Sequence, residues 1–167
     1  MITMQPQPIS QQTIDSQPAT ANLRPEMRLL LCCLHLHPTP ETTRQILDLL
    51  HQPIDWDKLL ELAGWHGAMP LLYVTFKRVA PEQIPAPVLN QLQAQYHAND
   101  MRNIILTREL LRLLQLLAAH GIEAVPYKGP ALALTLYNNL ALRQFTDLDI
   151  LVRPRLFNKH GLSRLRA

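Results

Sequence analysis

Glycine, cysteine and aromatic residues are all scarce in this chain of 167 residues: five Gly, two Cys and 5% aromatics. The two cysteines, Cys32 and Cys33, are adjacent. Sequence neighbours cannot form an ordinary disulfide with each other, which excludes a cystine framework. With His35 and His37 they would put four ligands within six residues, a spacing that no tetrahedral zinc site uses. They read instead as two small core residues on a helix in a reducing, cytoplasmic setting. The N-terminus has neither a basic n-region nor an apolar h-region, so no secretory signal is predicted. The longest apolar stretch, near Leu29–Leu34, is far too short to span a bilayer.

Acidic residues are missing from one place in particular. Arg153–Ala167 carries Arg153, Arg155, Lys159, Arg164 and Arg166 and no Asp or Glu. Those five charges exceed the net charge of +3, so residues 1–152 are slightly acidic. The basicity belongs to a tail, read here as solvated, and does not describe a nucleic-acid-binding face.

What is abundant is leucine and proline, the prolines falling at expected helix starts and loops. The length accommodates one medium domain, or a small domain and part of another. Residues 1–22, rich in Gln, Pro, Ser and Thr, predict a disordered leader. A helical module is expected over 23–120. Pro25 opens a first helix to about residue 36, and Thr39-Pro40 cap and start a second to about Leu50. Asp55 caps a third, which Gly64 interrupts, and a fourth runs from Met69 to about Val79. After a Pro-rich linker at 80–87, a long helix spans about 87–120. Its apolar stripe is Met101, Ile104, Ile105, Leu110, Leu111, Leu114 and Leu117, and His120-Gly121 stops it. The pattern changes there. Ile122–Tyr127 predicts a strand, Gly129–Tyr137 a short helix, and Phe145–Val152 a second strand. The fold class is therefore α+β, an N-terminal helical module followed by a strand–helix–strand unit at 121–152 and a basic tail at 153–167.

The chemistry-bearing residues lie in that unit. In Tyr127-Lys128-Gly129-Pro130 a strand runs into a helix whose free N–H groups can hold phosphate oxygens. Gly129 allows close approach of a phosphate, and Lys128 adds charge. An ordinary strand-to-helix turn would look the same. Further on, Asp147-Leu148-Asp149 places two carboxylates at i and i+2, on one face of a strand. Such a pair suits Mg²⁺, which binds through one or two carboxylates plus substrate phosphates. Arg143 fits either a phosphate or a salt bridge to Asp147 or Asp149. Thr146 reads as a strand residue or local cap.

Residues 121–152, with Tyr-Lys-Gly-Pro-Ala and Arg-Gln-Phe-Thr-Asp-Leu-Asp-Ile-Leu-Val, resemble the uncharacterised bacterial nucleotidyltransferases of the DNA polymerase beta-like superfamily. The upstream Trp65-His66-Gly67-Ala68-Met69-Pro70 is similar to the helical region preceding their catalytic unit, and the likeness spans roughly 25–152. The resemblance implies a two-metal Mg²⁺ site in which Asp147 and Asp149 bind metal. It makes Gly129 the first residue of the nucleotide-binding helix and gives Lys128 and Arg143 phosphate contacts. The implied reaction transfers a nucleoside monophosphate from an NTP to an unknown acceptor, a small molecule or a protein. The superfamily's third acid lies on a later strand, and the basic tail supplies none. The chain is thus expected to be the N-terminal part of a longer or frame-shifted protein, inactive and poorly soluble alone. Two rival expectations stand beside this one. One is a catalytically dead binding or antitoxin-type partner; the other is a helical interaction module with a structural Asp-x-Asp.

Overall fold

The computed structural model describes residues 23–153. The expected leader, and the tail beyond Arg153, lie outside the described residues. Five helices come first: α1 (Pro25–Cys33), α2 (Pro40–Leu50), α3 (Trp56–Trp65), α4 (Met69–Val79) and the long α5 (Ala86–Ala119). A short strand β1 (Ala124–Tyr127), helix α6 (Gly129–Tyr137) and strand β2 (Asp149–Val152) follow, giving a mostly helical α+β fold.

Local chemistry sets these boundaries. The Thr39 hydroxyl accepts the Thr42 N–H at 3.1 Å, and Pro40 opens α2 where its missing donor costs nothing. The Asp55 carboxylate accepts the Lys58 N–H at 3.0 Å to start α3. Glu26, buried on α1, accepts the Asp55 N–H at 3.0 Å, so a buried acid is satisfied by holding the next helix's entry. Gly64 does not interrupt α3 as expected. One glycine costs a helix only about 1 kcal/mol, and tertiary packing carries α3 through it. The stop comes at Gly67, with φ +64°. There the Ala68 N–H reaches Ala63 O at 2.8 Å and the Gly67 N–H reaches Gly64 O at 3.2 Å, a left-handed helix cap. The expected stop at Gly121 uses the same device, with Ile122 N–H to Leu117 O at 2.9 Å. The first helix ends at Cys33, earlier than expected, and the linker folds as a 3₁₀ turn at Pro81–Gln83.

The core lies among α1–α4 and the start of α5. Leu29, Ile46, Leu59, Leu72, Phe76 and Leu92 are fully buried in it. Trp56 meets Phe76 edge-on, with centroids 6.3 Å apart. The Thr75 hydroxyl donates to Cys33 O at 3.2 Å, and Arg78 donates to Leu36 O at 3.0 Å, tying α4 to the end of α1 and to the connection after it. Cys33 is buried in this core, and burial pushes its thiol well above the usual range, so it is a packing residue and unreactive.

The stripe expected on α5 is largely not core. Leu110 is buried, but Met101, Ile104, Ile105 and Leu111 are exposed. The face of α5 turned inward at that level carries Asn99 and Asn103, both buried. It packs against a 3₁₀ turn at Leu140–Leu142, whose backbone carbonyls need donors that leucines could not supply.

β1 and β2 pair antiparallel, in the register Ala124↔Val152, Val125↔Leu151, Pro126↔Ile150 and Tyr127↔Asp149. The unit is therefore strand–helix–strand, but not a parallel crossover. The second strand begins at Asp149 and not at Phe145. The ladder ends at Tyr127 because Lys128 (φ 56°) and Gly129 (φ 42°) turn the chain into α6. Nothing remains opposite Leu148 and Asp147 to extend the pairing.

Candidate functional site

The expectation that Asp147 and Asp149 share one face of a strand is thus corrected. Asp149 is the first residue of β2, while Asp147 sits in a bend just before it. The bend still brings both acids to one place. Asp147 and Asp149 line a single cavity of about 300 Å³ together with Lys128, Gly129, Arg143, Gln144, Phe145 and Thr146. All five residues singled out from the sequence meet there, although two routes deliver them: the β1–α6 turn and the segment between α6 and β2.

The β1–α6 turn is tight. A Cβ placed on Gly129 would lie 3.6 Å from Asp147 O and 3.9 Å from the Phe145 ring. Gly129 therefore sets the distance between the start of α6 and the acidic bend. Lys128 adopts φ 56°, ψ −143°. That region is normally left to glycine and costs a side-chain-bearing residue about 1–3 kcal/mol. A lysine held there against its preference is the kind of local strain that clusters at working sites. No sequence pattern signals it, because Lys-Gly before a helix reads as an unstrained turn.

The electrostatics are nearly balanced. Lys128 Nζ lies 3.9 Å from Asp149 Oδ2 and 5.3 Å from the centre of the Tyr127 ring. Both charged partners are about half exposed, so the pair is worth at most about 1 kcal/mol and is easily exchanged for another ligand. The salt bridge considered for Arg143 is made by Lys128 instead. Among the described residues, Arg143 makes no ion pair with either acid; its carbonyl is what is held. Asn99 Nδ2 donates to Ala141 O at 2.8 Å and Arg143 O at 3.2 Å. Asn103 Nδ2 donates to Leu140 O at 2.6 Å and Arg143 O at 2.7 Å. Gly67 also approaches this segment, its Cβ position lying 3.4 Å from Gln144 Oε1, so the α3–α4 connection borders the site. Arg153, read as part of the tail, pairs with Glu123 at 3.0 Å; this exposed pair lies just past the Ala124↔Val152 end of the β1–β2 ladder, opposite the Asp149 end.

The donor set bears on a metal directly. Two carboxylates fit one Mg²⁺, which keeps waters and takes substrate phosphate oxygens. Among the described residues no three His, Cys, Asp or Glu side chains gather. Two ions sharing Asp147 and Asp149 would need a further oxygen ligand from outside them. A cavity of about 370 Å³ between α4 and α5 is larger, but it is lined by Tyr73, Lys77, Tyr96 and His97 among others and has no acid. Size alone does not pick out the chemistry. Among the described residues no helix is long and apolar enough to cross a membrane.

The short antiparallel pair thus flanks α6 and brings two acids beside that helix's N-terminus. The family model described as uncharacterised nucleotidyltransferase matches residues 52–160, more than half of the chain, and the chain belongs to that family. The match begins after α2, later than the likeness read from the sequence. No curated protein and no solved structure matches the chain.

Proposed function

We propose that this nucleotidyltransferase-family chain binds an NTP as its magnesium complex in the cavity between Gly129 and Asp149, for transfer of the nucleoside monophosphate to an acceptor hydroxyl. The observation that carries the reading is the convergence of the two acids, Arg143 and the strained Lys128–Gly129 turn on one cavity. Asp147 and Asp149 would hold the ion, which when bound neutralises phosphate charge. The first N–H groups of α6 face phosphate oxygens, less the one that Pro130 lacks. Lys128 releases Asp149 to the cation and turns to the phosphates, and Arg143 offers a two-pronged contact. In the transfer the acceptor hydroxyl gives its proton to solvent, its oxygen bonds to the α-phosphorus, and the bond from that phosphorus to the bridging oxygen breaks so that pyrophosphate leaves. Two-metal catalysis, as the family likeness implies, would draw its remaining ligand from beyond residues 23–153.

A second reading has the same cavity bind nucleotide without turnover, as in a binding or antitoxin-type partner. The observation that favours it is that the described acids form a pair and not a trio. One experiment tests the first reading and separates it from the second. The full chain is titrated with each of the four NTPs, with and without Mg²⁺, and then incubated with labelled NTP and a cell extract as acceptor source. Magnesium-dependent binding that disappears in the Asp147→Asn, Asp149→Asn double variant, with melting temperature unchanged, is expected. Label transfer lost in the same variant supports the enzyme; binding without transfer supports the partner. NTP affinity indifferent to both Mg²⁺ and the double substitution would sink both.

A further inference from the structure

We infer that Asn99 and Asn103 are positioning residues of this site: they fix the segment that carries Arg143 and leads into Asp147 and Asp149 without touching the nucleotide. The inference rests on the nucleotide reading above. The two asparagines are four apart on α5 and so share one face of it. Both are buried, and both amides point their donors at the same short stretch, Leu140 to Arg143. The Arg143 carbonyl accepts from both.

That stretch lies between α6 and β2; Ala141 and Leu142 are buried, and the 3₁₀ turn packs on α6 as well as on α5. Within it the Asn139 side chain accepts the Ala141 N–H at 2.9 Å. The antiparallel ladder does not reach it, because pairing stops at Asp149. Its hydrogen-bonded attachment to the 34-residue helix α5 is made by two side-chain amides, which fix the carbonyls of Leu140, Ala141 and Arg143 where apolar packing alone would not. The amide orientation follows from the partners, since four carbonyl contacts require N–H donors, and a flipped amide would set oxygen against oxygen. The other half of each amide is unused: Asn99 Oδ1 and Asn103 Oδ1 are buried with no partner among the described residues. A buried carbonyl oxygen without a donor is unfavourable. Two such atoms on one helix face cost stability, and the four donor contacts at the opposite ends of the same side chains offset that cost. Leucines of similar size would pack there without that cost but would leave the turn's carbonyls unheld. A site that grips phosphate and a cation needs its supports fixed to a fraction of an ångström, and rigid elements supply that better than a loop does.

The test uses the full chain and whichever of the four NTPs the wild type binds with Mg²⁺. Three variants are compared: Asn103→Leu, which removes the donors at nearly constant volume; Asn103→Ser, which keeps one donor on a shorter side chain; and Leu92→Ala, a core change remote in sequence from the turn that sets the cost of lost stability alone. Affinity is read by calorimetry, and amide hydrogen exchange is read along the chain. Asn103→Leu should weaken Mg·NTP binding about 10–100-fold, the usual cost of losing an outer support of a metal site. Exchange should quicken over 140–149 while α1–α4 stay protected. Asn103→Ser should fall between it and the wild type. Leu92→Ala should lower the melting temperature with affinity unchanged where it is folded. Unchanged affinity in folded Asn103→Leu, or an equal loss in Leu92→Ala, overturns the positioning role while leaving the nucleotide reading intact. Should Asn103→Leu not fold, Asn103→Ser decides alone, and wild-type affinity in it overturns the role. A wild type that binds none of the four NTPs overturns the nucleotide reading, and the positioning role with it.

Discussion

Residues 25–92 pool their large apolar side chains in one core, whereas residues 124–152 bury few, chiefly Pro130, Leu142 and Phe145. Leu29, Leu59, Leu72 and Phe76 are wholly enclosed by neighbours from four helices. In the later segment Ala133, Ala141, Leu142 and Phe145 are buried, while Val125, Leu134, Leu136 and Leu151 remain exposed. The difference teaches where each property resides. Stability comes from the helical part, where burial of apolar area is large. The chemistry-bearing part is attached to it by α5, the asparagine contacts and Phe145. Such an arrangement suits a segment with an unfavourable Lys128 backbone and two acids two residues apart, because the large apolar core lies elsewhere.

The comparison breaks most sharply at two phenylalanines. Phe76→Ala removes a fully buried ring from the shared core and should cost about 3–5 kcal/mol. Phe145→Ala should cost about 1–2 kcal/mol, within the ordinary range for point substitutions, because it loosens only the α6–β2 segment. Denaturant melts of the two variants check this. Equal losses would mean that the two regions unfold as one unit and that the division drawn above is wrong.

A smaller effect of opposite sign sharpens the same contrast. Lys128 pays in backbone strain for its place beside Asp149. Lys128→Gly relieves that strain, partly offset by glycine's greater freedom in the unfolded chain. The net should be a stabilisation of about 1 kcal/mol. Affinity for Mg·NTP should fall in the same variant, because the cation at the mouth of the cavity is gone. A Lys128→Gly protein that is both less stable and unchanged in binding would show the lysine to be structural.

Most of the helical part was legible in the sequence, because its signals are local. Thr39-Pro40, Asp55 and Gly121 each satisfy or end a helix with their own side chain or backbone, and the structure uses all three as read. The site was legible as a set of residues but not as a geometry. Gly129, Lys128, Arg143, Asp147 and Asp149 do meet, yet the strand expected to align the acids is cut short. What cuts it is a non-local fact: antiparallel register places Gly129 where the next partner of Asp147 would be, and Gly129 has already turned into α6. Asn99 and Asn103 were missed for a related reason. Polar residues on a helix read as its solvent face unless the carbonyls they serve, some 40 residues downstream, are known to lie against them. The available signal was their spacing of four within a helix otherwise rich in leucine.

The smallest effect concerns the apolar stripe on α5 that the periodicity assigned to a core. Met101 is 60% and Ile105 62% exposed, so each keeps most of its surface in water. A side chain already hydrated in the folded state gains little from folding, and its loss removes little. Ile105→Gln should therefore change stability by less than about 0.5 kcal/mol, as surface substitutions away from special features do. Leu92→Ala, on the buried face of the same helix, should cost about 2–5 kcal/mol. The same Gln variant should leave sedimentation unchanged if the stripe is free in solution. If Ile105→Gln instead lowered stability by as much as Leu92→Ala, or dissociated an oligomer, the stripe would be covered by another surface. The periodicity would then have marked a real apolar interface, and the contrast between a packed helical part and an open later segment would have to be redrawn with that interface included.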